Sequence, residues 1–344
     1  MSQVVHVAVG GVLGAALAET TAPVIIMDDN VLLGPSRADA KRHQAARTRY
    51  WGSAPSPELA EELARGAGPP LCVTIPPTPC GILSLCQISC MAMGSGREVH
   101  VVDLGAESAG LPPQGIDPGE ETYVDAAAAL RHSPPAARWT TLATTLAATL
   151  WRLWCRPSPT ALSRFCASGG ALHPQFANLG CFHAGFFPRV TGGALGLSRI
   201  DELILRQLSR EWTTPAKVFV QAMTNGSELV AWLSHTGDLH LAARLLAWSR
   251  HTRNRIVERR REHPKNPSEM TRWSFRWRPG GEAILEALPD VEVAPPVSIG
   301  GAVAYAPDPL WVGRLDAAGR PYVSRAGIRG STPPATARRG ARTT

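Results

Sequence analysis

The sequence predicts an α/β protein, with a Rossmann-like parallel sheet domain first and a winged-helix-like domain after it. Three observations predict this. Short β-branched or apolar runs near the start, Val4 to Val9, Val24 to Met27, Leu71 to Ile75 and Val99 to Val102, alternate with helix-like segments. That alternation is the mark of a parallel sheet covered by helices. Farther along, Leu203, Ile204, Leu208 and Trp212 recur at helical spacing. Between Arg244 and Arg278, eleven basic residues stand against three acidic ones in a chain of net charge +7, and the stretch closes on alternating arginine and aromatic residues.

In chain order, Val4 to Val9 reads as a strand closed by Gly10 and Gly11, with a helix opening at Val12. Arg37 to Tyr50 and Pro57 to Arg65 are helix-like, and Ser56 stands where a cap precedes proline at the first helical position. Ile82 to Met93 supplies a helix between two strands, and Glu120 to Arg131 and Arg138 to Trp154 supply two more. These make a domain over residues 1–155. Residues 156–196 carry prolines, glycines and isolated aromatics without a sustained period and read as an irregular linker holding one or two short strands. Residues 197–282 then give three helices, with Ser198, Thr214 and Asp238 at their starts. They end in a hairpin of Ile256 to Glu262 with Arg272 to Trp277, the layout of a winged helix. The tail from 290 to 344, rich in Pro, Gly, Ala and Arg, reads as disordered.

Thirty prolines and thirty-two glycines point to long irregular stretches. The basic balance favours polyanionic partners. Seven cysteines, spread from Cys72 to Cys181, are not a secreted disulfide framework. No apolar run reaches the roughly 18 residues of a membrane span, so the expectation is a cytoplasmic protein with no membrane partner.

Several segments resemble known families. Val5-His6-Val7-Ala8-Val9-Gly10, Asp28-Asp29, Leu33-Gly34-Pro35, and Arg47 with Tyr50-Trp51 resemble the bacterial family termed domain of unknown function 1835. Leu197-Ser198-Arg199-Ile200-Asp201, Trp212, Thr236-Gly237-Asp238-Leu239 and Arg244 resemble its C-terminal companion, domain of unknown function 3658. The pattern departs in one place: where the family's first strand is followed by Gly-Asp-Ser, this chain has Gly10-Gly11-Val12. The resemblance implies the two-domain architecture and no particular activity.

Candidate sites follow from residue type and spacing. Gly10, Gly11 and Gly14 follow a strand and open a helix, where backbone N–H groups hold phosphate; their spacing equally serves close helix packing. Asp28 and Asp29 end the second strand and Asp103 another, so these carboxylates are candidates for holding a hard cation or acting on a phosphoester, against plain capping and turn formation. Arg47 is a candidate for an oxyanion, with Trp51 four residues on. His6 reads first as a packed strand histidine. Cys80, Cys86 and Cys90 read as core thiols, and Cys166, His173, Cys181 and His183 match no standard metal spacing, so no metal is expected.

The basic set Arg250, Arg253, Arg255, Arg259, Arg260, Arg261 and Lys265 predicts phosphate-backbone contacts by the winged helix, with Trp273, Phe275 and Trp277 on the opposite parity facing the core. Two function classes emerge. The first is a regulatory binding protein that senses a phosphorylated small molecule and touches nucleic acid or a partner protein. The second is a metal-dependent phosphoester enzyme at the sheet edge. No nucleophile, base and orienting group stand together in the sequence, which ranks the enzyme second.

Overall fold

Successive side chains of the first strands enter different apolar clusters. Val7, Val9, Leu71, Val73, Val99 and Val101 belong to one, and Ala8, Cys72 and Val102 to another. Two-sided burial of this kind is what runs without polar alternation require. The computed structural model describes residues 4–19, 21, 23–29, 31–51, 56–76, 78–104, 130, 135–169, 174–191, 193–225, 228–253, 255–261, 273–316 and 319–326. Strand β1 (Val5–Val9) lies between β2 (Val24–Met27) and β4 (Leu71–Ile75), with β5 (Val99–Asp103) beyond β4, all parallel. β6 (Ala137–Arg138) adds an antiparallel edge. The chain leaves β1 to one side and continues to the other from β4, so the carboxyl ends of β1 and β4 bound a topological switch point.

Helix α1 (Gly11–Ala18) covers one face with Leu13 and Leu17. The other face carries α3 (Pro57–Ala64), α4 (Pro79–Ser95) and α5 (Thr141–Trp154). α4 starts where Thr78 Oγ1 accepts the Gly81 N–H at 3.0 Å, and it ends on left-handed Gly96. Its nearly unbroken burial explains why its sequence shows no polar stripe. α2 (Ala40–Trp51) precedes α3.

Residues 156–196 hold the short strands expected there, but much of the rest of the stretch is helical rather than an irregular linker. They form α6 (Thr160–Gly169), α7 (Pro174–Ala184) and a short hairpin, β7 (Arg189–Thr191) and β8 (Ala194–Gly196). Leu162, Phe176, Leu179, Phe182, Phe186 and Phe187 are buried there. Short elements with several packing partners leave no sustained period in the sequence, which is why the pattern read as irregular.

Three helices and a hairpin follow: α8 (Arg199–Leu205), α9 (Pro215–Thr224), α10 (Glu228–Arg250), then β9 (Val257–Arg261) antiparallel to β10 (Trp273–Trp277). The cap expected at Ser198 is present, its Oγ accepting the Asp201 N–H at 3.1 Å. The third helix begins at Glu228 rather than at Asp238, because Gly237 does not interrupt it. Thr213 and Phe275 exchange both backbone hydrogen bonds, at 3.0 and 2.8 Å, tying the segment after α8 to the hairpin.

The segment beyond 290 also departs from expectation. It is mostly strands: β11 (Val297–Gly300), β12 (Ala302–Ala304), β13 (Trp311–Leu315) and β14 (Pro321–Arg325). β11 runs parallel to β3 (Gly34–Pro35), far back in the chain, and β13 pairs in parallel with β7. Its small residues serve close backbone approach. A Cβ on Gly301 would stand 2.0 Å from the Cys155 carbonyl oxygen, and one on Gly300 2.4 Å from that of Trp154. Low apolar bulk therefore signals tight packing here. Residues 327–344 of the expected tail lie outside the described residues, as does most of Glu120 to Arg131. One apolar cluster runs from Val7 through Leu245 and Phe275 to Val323. Among the described residues no helix is long and apolar enough to cross a membrane.

Candidate functional site

At the carboxyl edge of the sheet, Gly10 has a positive φ of 98° and donates its N–H to the Met27 carbonyl at 2.9 Å. A Cβ on Gly14 would meet Ile26 at 2.6 Å, so this glycine lets α1 lie against β2. A Cβ on Gly11 would lie 3.5 Å from Asp28 Oδ2. The carboxylate of Asp28 thus stands beside the first turn of α1, where the helix dipole favours negative charge. A phosphate at the same turn would meet a like charge.

Asp29 faces inward and is buried. Arg47 Nε donates to its Oδ1 at 2.9 Å, Nη2 donates to the same oxygen, and Nη1 donates to the Leu33 carbonyl. His43 Nε2 lies 3.2 Å from Asp29 Oδ2, while its Nδ1 accepts the Arg37 N–H at 3.2 Å, so the ring donates from Nε2. His43 and Arg47 are four apart on α2 and share the face that meets Asp29. Arg47 is 0% exposed. The oxyanion role expected for it is therefore corrected, since the oxyanion it holds is Asp29. Gly34, at φ 76°, is required by the same arrangement, because a Cβ there would stand 2.7 Å from the Tyr50 ring and 3.1 Å from Arg47 Nη1.

Asp28 and Asp103 end strands at opposite sides of the four parallel ones, three strand spacings or roughly 14 Å apart. They do not converge on one cation, and Asp29 is already neutralised. Among the described residues no three His, Cys, Asp or Glu side chains are grouped to hold a metal. His6 is half-buried in β1. Cys86 is fully buried in α4, as a core thiol should be, and burial pushes its pKa well up; the same cause raises Cys80 to about 11 and Cys166 to about 12.

A second internal centre, unforeseen from the sequence, joins α8, α10 and the C-terminal segment. Arg244 donates to Asp201 through Nε at 2.9 Å and Nη2 at 2.8 Å, and to the Pro295 carbonyl at 3.2 Å. Trp248 Nε1 donates to Asp201 Oδ1 at 3.1 Å, and the Tyr305 hydroxyl accepts the Ser198 N–H at 2.7 Å. Burial alone pushes the Asp201 carboxyl up, but the Arg244 charge and hydrogen bonds from Arg244, Tyr305 and Trp248 outweigh it and hold the pKa below its usual value. Next to it, Glu202 is shared by Arg189, Arg199 and Arg206. Asp201 and Arg244, like Asp29, Gly34 and Arg47, are residues of the family-like motifs, and they serve the interior.

The basic stretch is differently disposed. Register splits the β9 arginines between the two faces of the hairpin, because residues alternate along the strand. Arg260 and Arg276 carry their guanidiniums 4.8 and 4.4 Å from the ring centre of Trp212, and Glu258 binds Arg276 at 2.8 Å. Phe275 and Trp277 are buried, as the parity predicted, and Trp273 is half-buried under Arg259 at 4.8 Å. The basic set read from the sequence is thus divided between the two faces of the hairpin. Arg253 is ion-paired with Glu292. Arg250, Arg255 and Arg259 are exposed, and no described carboxylate pairs with them. Desolvation, with the like charges of Arg250 and Arg255, pulls the Arg259 pKa down. Lys265 and Arg272 lie outside the described residues.

Below this group a cleft of about 490 Å³ is lined by Thr252, Arg253, Arg255, Arg278, Gly280 and Ile284, among others. By contrast the cavity at Asp29, His43 and Gln87 is about 30 Å³, room for one water. No protein-family model and no curated protein matches this chain.

Proposed function

We propose that the protein is a regulatory binding protein whose basic C-terminal unit, of winged-helix-like character, contacts the phosphate backbone of nucleic acid. One observation carries this reading: Arg250, Arg255 and Arg259 are exposed together at the surface, and no described carboxylate pairs with them. Holding like charges together costs free energy, which a polyanion offsets by releasing its condensed counterions. In this reading the N-terminal sheet is Rossmann-like, and Asp29, Gly34 and Arg47, with Asp201 and Arg244, all residues of the motifs that resemble the two families, hold the interior together.

The test is a salt titration of the full chain against a fluorescently labelled oligonucleotide. Binding should appear at low salt, and log affinity should fall linearly with log salt, by about 0.7 to 0.9 per phosphate contact. No binding at low salt contradicts the reading.

A further inference from the structure

The cleft beneath the arginines differs from a surface shaped for a duplex. Duplex backbones are met by exposed ridges and helices that enter grooves, whereas this feature is a half-open concavity of about 490 Å³. That volume lies within the ~300–1,000 Å³ of pockets that enclose small molecules. Its lining has two characters. Arg253, Arg255 and Arg278 supply guanidiniums, and Pro279 supplies a smaller apolar part, with Ile256 and Ile284 buried beneath. Arg253 is held by Glu292 and Arg278 by Glu258 at 3.4 Å, whereas Arg255 has no described carboxylate partner. Among the described residues no carboxylate lines the cleft itself. Gly280 and Gly281 sit on its wall, and beyond Gly280 a Cβ would find open space, so a ligand can approach the backbone there.

Cationic forks beside the exposed Pro279 and Gly280 match a nucleoside monophosphate unit, with phosphate on the arginines and the flat base on the proline and glycine surface. We propose that this cleft receives one unpaired nucleotide, so that the protein prefers single-stranded to double-stranded nucleic acid. The inference rests on the polyanion reading above and deepens it. The same chemistry is offered by a free nucleotide and by a nucleotide within a strand, and competition distinguishes them.

The experiment measures anisotropy of a labelled oligonucleotide and of a hairpin duplex of the same composition with the full-length protein. Wild type, Thr252→Trp, Arg255→Gln and Arg250→Gln are compared. Thr252 is exposed on the cleft wall, so tryptophan fills the space without changing charge. The expected result is single-strand affinity about tenfold above duplex, with Thr252→Trp and Arg255→Gln each abolishing that preference. Arg250→Gln, outside the cleft lining, should weaken both ligands alike. If a nucleoside monophosphate displaces the strand where equal inorganic phosphate does not, the base is read in the cleft and a free nucleotide suffices. If only longer strands displace it, with the preference still lost in Thr252→Trp, the nucleotide enters as part of a strand. Equal affinity for both ligands and no effect of Thr252→Trp overturns the cleft assignment while leaving the polyanion reading intact. Absence of binding to either ligand overturns both.

Discussion

Arg244 of α10 and Asp201 of α8 meet edge to edge in the interior, at 2.9 and 2.8 Å, with side chains only 4% and 1% exposed. The pair links helices far apart in sequence, and through Pro295 it also reaches the C-terminal segment. Removing one partner strands the other charge in a low-dielectric site. Arg244→Met or Asp201→Asn should therefore lose about 3–5 kcal/mol of stability, and replacing both by apolar residues should lose less than either alone. Urea denaturation of the three variants checks this; a double variant as unstable as the sum of the singles contradicts it.

The Asp29 and Arg47 pair makes a prediction about function. Arg47→Leu should destabilise by a similar few kcal/mol, because Asp29 would be left buried with only His43. Its affinity for nucleic acid, measured where the variant is still folded, should be unchanged. A selective loss of ligand binding at intact stability would return Arg47 to a binding role.

Two buried histidines set the acid limit of stability. Desolvation pushes both His183 and His240 down to about 3; the Arg244 charge adds to this for His240, partly opposed by Asp201. In the unfolded chain they titrate near ~6.5. Between those values the unfolded state binds more protons, so stability falls with acidity by about 1.4 kcal/mol per pH unit for each histidine. Asp201 acts lower, its contribution present above the unfolded value near ~3.9 and lost as pH falls through its depressed folded value. Denaturant midpoints between about pH 7 and about pH 5 should drop, with roughly half the slope in His240→Phe. A flat profile contradicts the neutral burial of these rings.

The segment after 290 is predicted to be part of the folding unit. Gly301→Ala drives a Cβ into the Cys155 backbone, with no flexible side chain to yield, and should cost about 1–3 kcal/mol. Truncation before Val297 removes the buried residues Ile299, Tyr305, Val312 and Val323 and should abolish cooperative unfolding in a thermal melt. Retention of a sharp transition by the truncated chain would show that the strands are dispensable.

What the sequence discloses follows from how local each signal is. β1, β4 and β5 were legible because strands buried on both faces are continuous apolar runs, β2 because all four of its residues are apolar although it is an edge strand, and the Ser198 cap and the hairpin because their signals span only a few residues. β11 to β14 pair locally as β11 with β12 and β13 with β14, but their runs are short and broken by glycine and proline, and nothing local reports the docking of β11 on Gly34 or of β13 on Arg189. At the sites, residue types were legible and roles were not. Arg47 and the hairpin arginines look alike in sequence, yet Arg47 is internal and Arg255 faces a cleft. His43 went unnoticed, although its spacing of four from Arg47 on a helix was the available signal.

The most direct measurement of the central claim compares the salt dependence of oligonucleotide binding by wild type and by the Arg250→Ala, Arg255→Ala, Arg259→Ala triple variant, after both give the same melting temperature. If these three surface arginines contact phosphates, the slope of log affinity against log salt should be flatter by about 2 in the variant, and affinity at low salt should fall by at least about tenfold. An unchanged slope and affinity would contradict the account.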